Sequence, residues 1–362
     1  MSTALPLLPA PFPYFGGKRK VAAEVWRRFG DVHNYVEPFF GSGATLLGRP
    51  EGFSGNETIN DLDGYVANFW RSIKLSPVET AEWADNPVNE NDLHARHVWL
   101  VKRADGLAAK LEGDPDWHDP KIAGWWVWGM ACWIGGGFCS GKGPWWPDDS
   151  GQLVHLGDNG QGVTRRRVHL GNSGEGVNRK LVHLGDGRGV NRKRVNLGGE
   201  GFGCGVVRQN PPLSTPESRL IPWFEALSAR LARVRVCSGG WSRVCGQSVT
   251  FTHGVTGVFL DPPYADTAKR CADVYRVDSL SVAHQVREWA IENGKRDDMR
   301  IALCGYDSEH EMPSDWAVYS WSAGSGYGNL AKVISGNGKR ERIWFSPACV
   351  AAAKSPQLEC AQ

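Results

Sequence analysis

Val258-Phe259-Leu260-Asp261-Pro262-Pro263-Tyr264 is the stretch on which the fold turns. The apolar run Val255–Leu260 has strand character. The two prolines that follow fix φ and forbid a helix, so a rigid projection begins at Asp261. In an open α/β sheet the ligand crevice lies at the carboxyl ends of strands, which is where this projection falls. The prolines also remove two backbone donors. What remains is a carboxylate acceptor at Asp261, a carbonyl acceptor at Pro262 and an aromatic face at Tyr264.

Upstream, Tyr35-Val36-Glu37-Pro38-Phe39-Phe40-Gly41-Ser42-Gly43-Ala44 reads as a strand running into a Gly-x-Gly turn and then a helix. Gly41 and Gly43 let backbone approach a ligand closely. Only two glycines are present, so the full dinucleotide fingerprint is absent. Asp61 lies eighteen residues beyond Gly43, where a second strand would end. An acid at that distance suits ribose hydroxyls, and the pair points to a nucleoside ligand. A third block, Phe12-Pro13-Tyr14-Phe15-Gly16-Gly17-Lys18-Arg19-Lys20, sets aromatics, two glycines and a lysine before a helix over Lys20–Phe29. It can hold an aromatic ring and a carboxylate, or it is a basic arm.

The acceptors at Asp261 and Pro262 suit one task well. An exocyclic amine of adenine has two N–H donors and a lone pair delocalised into the ring. Accepting hydrogen bonds from both N–H groups returns electron density to nitrogen. The aromatic ring of Tyr264 can stack on a base flipped out of a duplex.

Outward from these blocks, residues 1–75 and 214–349 read as α/β. Helices are expected at Tyr65–Ile73, Glu217–Leu231 and Ser281–Asn293, and strands at Val234–Cys237 and Ile301–Cys304. Between them, residues 76–150 read as helical and Trp-rich, with a helix over Asn89–Arg103. Seven of the seventeen tryptophans fall between Trp117 and Trp146. They form either a packed helix core or a set of aromatics that stack on bases. Residues 151–210 are repetitive: VHLG recurs at Val154, Val168 and Val182, and VNLG at Val195. Each apolar triplet is followed by a glycine turn and, in three intervals, a basic tip: Arg165, Arg166 and Arg167; Arg179 and Lys180; Arg192, Lys193 and Arg194. Such units stack on one another or lie on a partner, or the segment is a Gly-rich linker. The regular basic tips favour a phosphate-tracking element. The tail, residues 350–362, is expected to be disordered.

Of the 362 residues, 41% are hydrophobic and 22% charged, as in a soluble globular protein of one large α/β domain with a second small one. No apolar run is long enough to span a membrane, and the proline-broken N-terminus lacks the basic region of a secretory signal. The nine cysteines form no C-x-x-C pair, so reduced thiols, a cytoplasmic location and no metal site are expected. Net charge is +2, but residues 151–210 carry ten Lys/Arg against four Asp/Glu, a local +6 that leaves the rest near −4. A polyanion contact at one place follows.

In order and content, the three blocks, the acidic turn Asn60-Asp61-Leu62-Asp63 and the intervening insert resemble the D12-class, Dam-like DNA adenine-N6 methyltransferases of the α group. The resemblance covers about residues 12–75 and 230–347. It implies a Rossmann-like fold dependent on S-adenosylmethionine, with an inserted target-recognition region at 76–213, working as a monomer on double-stranded DNA. It also implies roles for residues. Tyr14, Phe15, Gly17 and Lys18 would contact the cofactor, Lys18 near its methionine carboxylate. Glu37, Phe39, Gly41 and Gly43 would line the methionine part, and Asp61 would hold the ribose. Asp261, Pro262 and Tyr264 would bind the target adenine, with Asp261 next to the reacting centre. Tyr275 and the segment Asn337–Trp344 resemble the family's C-terminal blocks. One departure stands out: Gly240 precedes Trp241 where relatives often carry an acid. The insert's repeats do not match the Dam recognition region, so no target sequence follows. Rival readings are methylation of an RNA adenine or another planar nitrogen, and a catalytically silent DNA-binding protein.

Overall fold

The computed structural model describes residues 8–12, 14, 17–52, 55–133, 138–139, 145–147, 153–155, 220–264, 281–322 and 340–349. Helix α1 (Ala22–Phe29) turns Val25, Trp26 and Phe29 inward and stops at Gly30, whose φ of 56° a side chain would disfavour. Strand β1 (Asn34–Glu37) is buried at every position. The Gly-x-Gly turn leads into the single turn α2 (Ala44–Leu47), and β2 (Asn56–Asp61) follows. Helix α3 (Gly64–Leu75) is capped by Asp63, whose carboxylate accepts from the Tyr65 backbone N–H at 2.9 Å.

Four helices come next: α4 (Pro77–Ala84), α5 (Glu90–Val101), α6 (Ala104–Gly113) and α7 (Pro120–Cys132). Asn89 caps α5. Asp119 caps α7 one residue before Pro120, which suits the first helical position. Strands β3 (Trp145–Pro147) and β4 (Leu153–His155) pair as a short antiparallel ribbon. Val154 and His155 of the first repeat thus lie on a strand. The later repeats, with all eight basic tip residues, lie outside the described residues.

The chain then adds α8 (Leu220–Leu231), β5 (Val234–Ser238), β6 (Thr256–Leu260), α9 (Val282–Asn293), β7 (Met299–Tyr306), β8 (Ala317–Ser320) and β9 (Glu341–Phe345). These complete a seven-stranded sheet of order β5-β2-β1-β6-β7-β9-β8. Strands β5, β2, β1, β6 and β7 are parallel; β9 runs antiparallel between β7 and β8. A mixed α/β sheet is therefore present as expected. From β1 the chain builds outward through β2 and β5 on one side, and through β6 and β7 on the other.

The helices α4 to α7 share the apolar core of α3 and α8. The tryptophans explain much of this. Trp126 stacks parallel to Tyr65 and meets Phe12 edge-on at 4.9 Å, and Trp128 is fully buried. Trp125 is half-buried, with the Lys121 ammonium 4.6 Å and the Arg96 guanidinium 5.1 Å from its ring centre. On this helical part the core reading of the tryptophans holds. Those at 145 and 146 lie on β3. Among the described residues no helix is long and apolar enough to cross a membrane.

Candidate active site

The strand order reverses between β1 and β6, and the loops that leave their carboxyl ends diverge there into a crevice. Both loops singled out in the sequence start at this point. One pocket is lined by Tyr14, Gly17, Lys18, Glu37, Phe39, Gly41, Asp61, Leu62, Asp63, Gly240, Trp241, Asp261 and Pro263, among others. Residues some 240 apart in the chain thus meet because β1 and β6 are neighbours.

On the β1 side the backbone turns sharply at Gly41 (φ +49°) and Gly43 (φ +72°). A Cβ on Gly41 would sit 2.6 Å from a ring carbon of Tyr14, and one on Gly43 would sit 2.7 Å from the Phe40 ring. Glycine is therefore required at 41 twice over, by conformation and by the approach of Tyr14. The Gly41 N–H donates to the Asp61 carboxylate at 2.9 Å, and its carbonyl accepts from the Trp70 indole at 2.8 Å. The other Asp61 oxygen accepts from the Asp63 N–H at 2.8 Å. Asp61 thus rests on two backbone amides and faces the pocket between them.

Glu37 ends β1 at the pocket floor, 2% exposed, and accepts from the Tyr35 hydroxyl at 2.7 Å. Burial pushes its carboxyl well above the usual carboxylate range, against the pull of that hydrogen bond. Beyond β5, Gly240 and Trp241 form another part of the wall. A side chain at 240 would meet open space, so the departure seen in the sequence leaves room where relatives often place an acid.

On the β6 side the Lys18 ammonium, 4% exposed, lies 2.9 Å from the Asp261 carboxylate and donates to the Tyr264 hydroxyl at 3.2 Å. That hydroxyl donates in turn to Glu341 on β9, at 2.6 Å. Burial alone would favour the neutral amine of Lys18. The facing carboxylates of Asp261 and Glu341 outweigh it and hold the ammonium well above the usual lysine range. Burial raises the Asp261 and Glu341 carboxyls, and Lys18 partly opposes this in both. The Tyr264 ring packs edge-on against Tyr306, 4.4 Å between centroids, and the residue is only 8% exposed.

Lys18 pairs with a carboxylate of the protein and also lines the pocket, and Tyr264 is held by its hydroxyl and one ring edge. Pro262 is buried and Pro263 reaches the pocket. Phe15, Tyr275 and residues 337–339 lie outside the described residues. Glu341 carried no role in the sequence reading. An acid leading the apolar strand Glu341-Arg342-Ile343-Trp344-Phe345 was the available signal, since its alternation with Ile343 and Phe345 points it inward. Among the described residues no three His, Cys, Asp or Glu side chains gather as a metal site.

A glycine turn after β1, an acid at the end of β2 and the Asp-Pro-Pro-Tyr projection after β6 thus meet at one crevice of the mixed sheet. Residues 14–100 match the model of the D12 class N6 adenine-specific DNA methyltransferase family, and the resemblance read from the sequence is borne out over that stretch. Among curated proteins, no sequence matches the chain.

Proposed function

We propose that the chain methylates N6 of a flipped-out adenine in double-stranded DNA, drawing the methyl group from S-adenosylmethionine and acting as a monomer. The observation that carries this reading is the meeting of the Gly41–Gly43 turn, Asp61, Lys18 and Asp261 in one crevice. The pocket's charge fits the cofactor. Four carboxyl groups, at residues 37, 61, 63 and 261, line the pocket with one ammonium, that of Lys18, which Asp261 already pairs, so a ligand bearing a sulfonium and an amine gains there. Tyr14, Gly17, Phe39, Gly41 and Gly43 would hold its methionine end, Glu37 its cationic groups, and Asp61 its ribose. When bound, it supplies an electrophilic methyl group. Asp261 and the Pro262 carbonyl accept hydrogen bonds from the adenine amine and bring its lone pair forward. The new N–C bond forms as the S–C bond breaks toward sulfur, and Asp261 is placed to take the surplus proton from nitrogen. Positioning and electrostatics do the work, with no covalent enzyme intermediate. The test is tritiated methyl transfer offered in parallel to DNA, RNA and protein, followed by nucleoside analysis. Label in N6-methyladenine from DNA is expected; label confined to RNA or protein overturns the reading.

Asp61→Ala should weaken cofactor binding by about tenfold to a hundredfold, the worth of a charge-assisted hydrogen bond. Calorimetry on the folded variant measures this, and an unchanged affinity removes the ribose assignment.

DNA contact is assigned to the insert, residues 76–213, and within it to the basic tips. Residues 77–133 hold five Lys/Arg against ten Asp/Glu, so the helical part repels phosphate while residues 151–210 attract it. Neutralising Arg165, Arg166 and Arg167 should weaken binding on all sequences alike and flatten the log–log salt slope by roughly 0.9 per lost phosphate contact. Filter binding at several salt concentrations reads this out. An unchanged slope would make the segment a solvated linker, and an altered methylated sequence would make it a reader of bases.

A further inference from the structure

We propose that Glu341 is a positioning residue for Asp261: through the Tyr264 hydroxyl it draws Lys18 away from Asp261 and leaves that carboxylate able to accept hydrogen bonds from a substrate amine. The inference deepens the proposed reaction and rests on it only for the identity of the amine.

Four groups from three separate stretches carry the argument: Lys18 ahead of α1, Asp261 and Tyr264 after β6, and Glu341 at the start of β9. Because the Tyr264 oxygen accepts from the ammonium, its own hydrogen is directed to Glu341, and the short 2.6 Å contact shows the carboxylate taking it. Chained hydrogen bonds in a low-dielectric interior polarise one another. The single ammonium is therefore divided between two carboxylates. Had Lys18 only one acidic partner, the pair would be neutral, and Asp261 would be a poor acceptor for a third group. With Glu341 present these groups together keep one net negative charge among the described residues, and Asp261, 20% exposed, is the carboxylate among them that lines the pocket. Glu341 and Tyr264 are buried and do not line it, so their part is to set Asp261.

Among the described residues, the charged and titratable groups around Asp261 are few. Lys18 faces it from the segment before α1, Glu37 from β1, Cys304 from β7, Glu341 from β9, and Tyr264 from its own loop. Removing the Glu341 charge takes away a repelling carboxylate and returns all of Lys18 to Asp261. Asp261 should then ionise more readily while becoming less able to serve the reaction. Replacing an acid that merely filled space would not give this opposed pair of effects.

The experiment uses the full chain with Asp carboxyl carbons labelled with carbon-13, the Asp261 signal being identified by its loss in Asp261→Asn. Glu341→Gln keeps an acceptor for the Tyr264 hydroxyl and removes the charge. Its Asp261 titration midpoint should fall below that of the wild type. Single-turnover methyl transfer should slow by about tenfold to a hundredfold, with KM for DNA unchanged and the acid limb of the pH–rate profile displaced to lower pH. Tyr264→Phe cuts the link while keeping the ring, and should move the midpoint the same way; it serves should Glu341→Gln fold poorly. A midpoint unmoved in both variants overturns the proposal, as does a displaced midpoint with an undiminished rate. Because the midpoint is read without cofactor or DNA, a wild-type chain that methylates no adenine, together with variants that still show the displaced midpoint, would sink the proposed function and leave the network standing.

Discussion

An Asp261→Ala chain transfers methyl groups about a thousandfold to ten-thousandfold more slowly than the wild type, the scale lost when a positioned acceptor and proton-taking group is removed. Its affinity for DNA should stay near that of the parent, because the phosphate contacts proposed above are in the insert. The reason for so large an effect is that adenine N6 is a poor nucleophile, and among the described residues the carboxylate at the end of β6 is the one that the pocket shares with the Asp-Pro-Pro-Tyr projection. Single-turnover transfer of a tritiated methyl group gives the rate, and 2-aminopurine fluorescence at the target position reports flipping in the same variant. Asp261→Asn keeps the shape of the side chain and controls for misfolding. Adenine methylation persisting at wild-type rate in either variant would remove Asp261 from the mechanism.

Lys18→Met unfolds more easily by roughly 3–5 kcal/mol at neutral pH, the usual consequence of leaving a buried charge without its partner. The methionine fills most of the volume, so the loss is electrostatic. Its pH dependence follows from the direction of the shifts. Without the ammonium, Asp261 and Glu341 are held by burial above their unfolded values, and the native state binds more protons than the unfolded chain. The variant is then least impaired below the unfolded carboxyl range and loses stability as pH rises through the raised folded values. Urea unfolding at pH 5 and pH 8 measures this; a deficit equal at both pH values would show that the ammonium is not what compensates the two carboxylates. The variant should also bind cofactor and DNA weakly or well independently of whether it turns over, so binding is scored separately from rate.

Much of the site was legible because its parts are local in sequence. The positive φ at Gly41 and Gly43, the strand end at Asp261 and the acid at 61 each announce themselves within a few residues. The elements beside them came out within a few residues of expectation. The helix read over Tyr65–Ile73 runs Gly64–Leu75, and the strand read over Ile301–Cys304 runs Met299–Tyr306, its extra residues paired by β6 at the start and by β9 at the end. What could not be read was long-range pairing. Nothing in the chain says that β9 enters between β7 and β8, and only that insertion sets Glu341 opposite Tyr306 and within reach of Tyr264. For the same reason the local reading offered Lys18 to a ligand: its acidic partners lie 243 and 323 positions away, and a spacing rule sees neither.

The late entry of β9 has a consequence for how the protein comes into being. Strand β8 pairs with β9 alone, so this edge of the sheet has no ladder until Glu341–Phe345 arrive. On the ribosome the glycine turn, Asp61 and even Asp261 emerge and can find their places first. The cluster of Lys18, Asp261, Tyr264 and Glu341 closes only once β9 has emerged, so a nascent chain carries the glycine turn, Asp61 and Asp261 before Glu341 is there to join them.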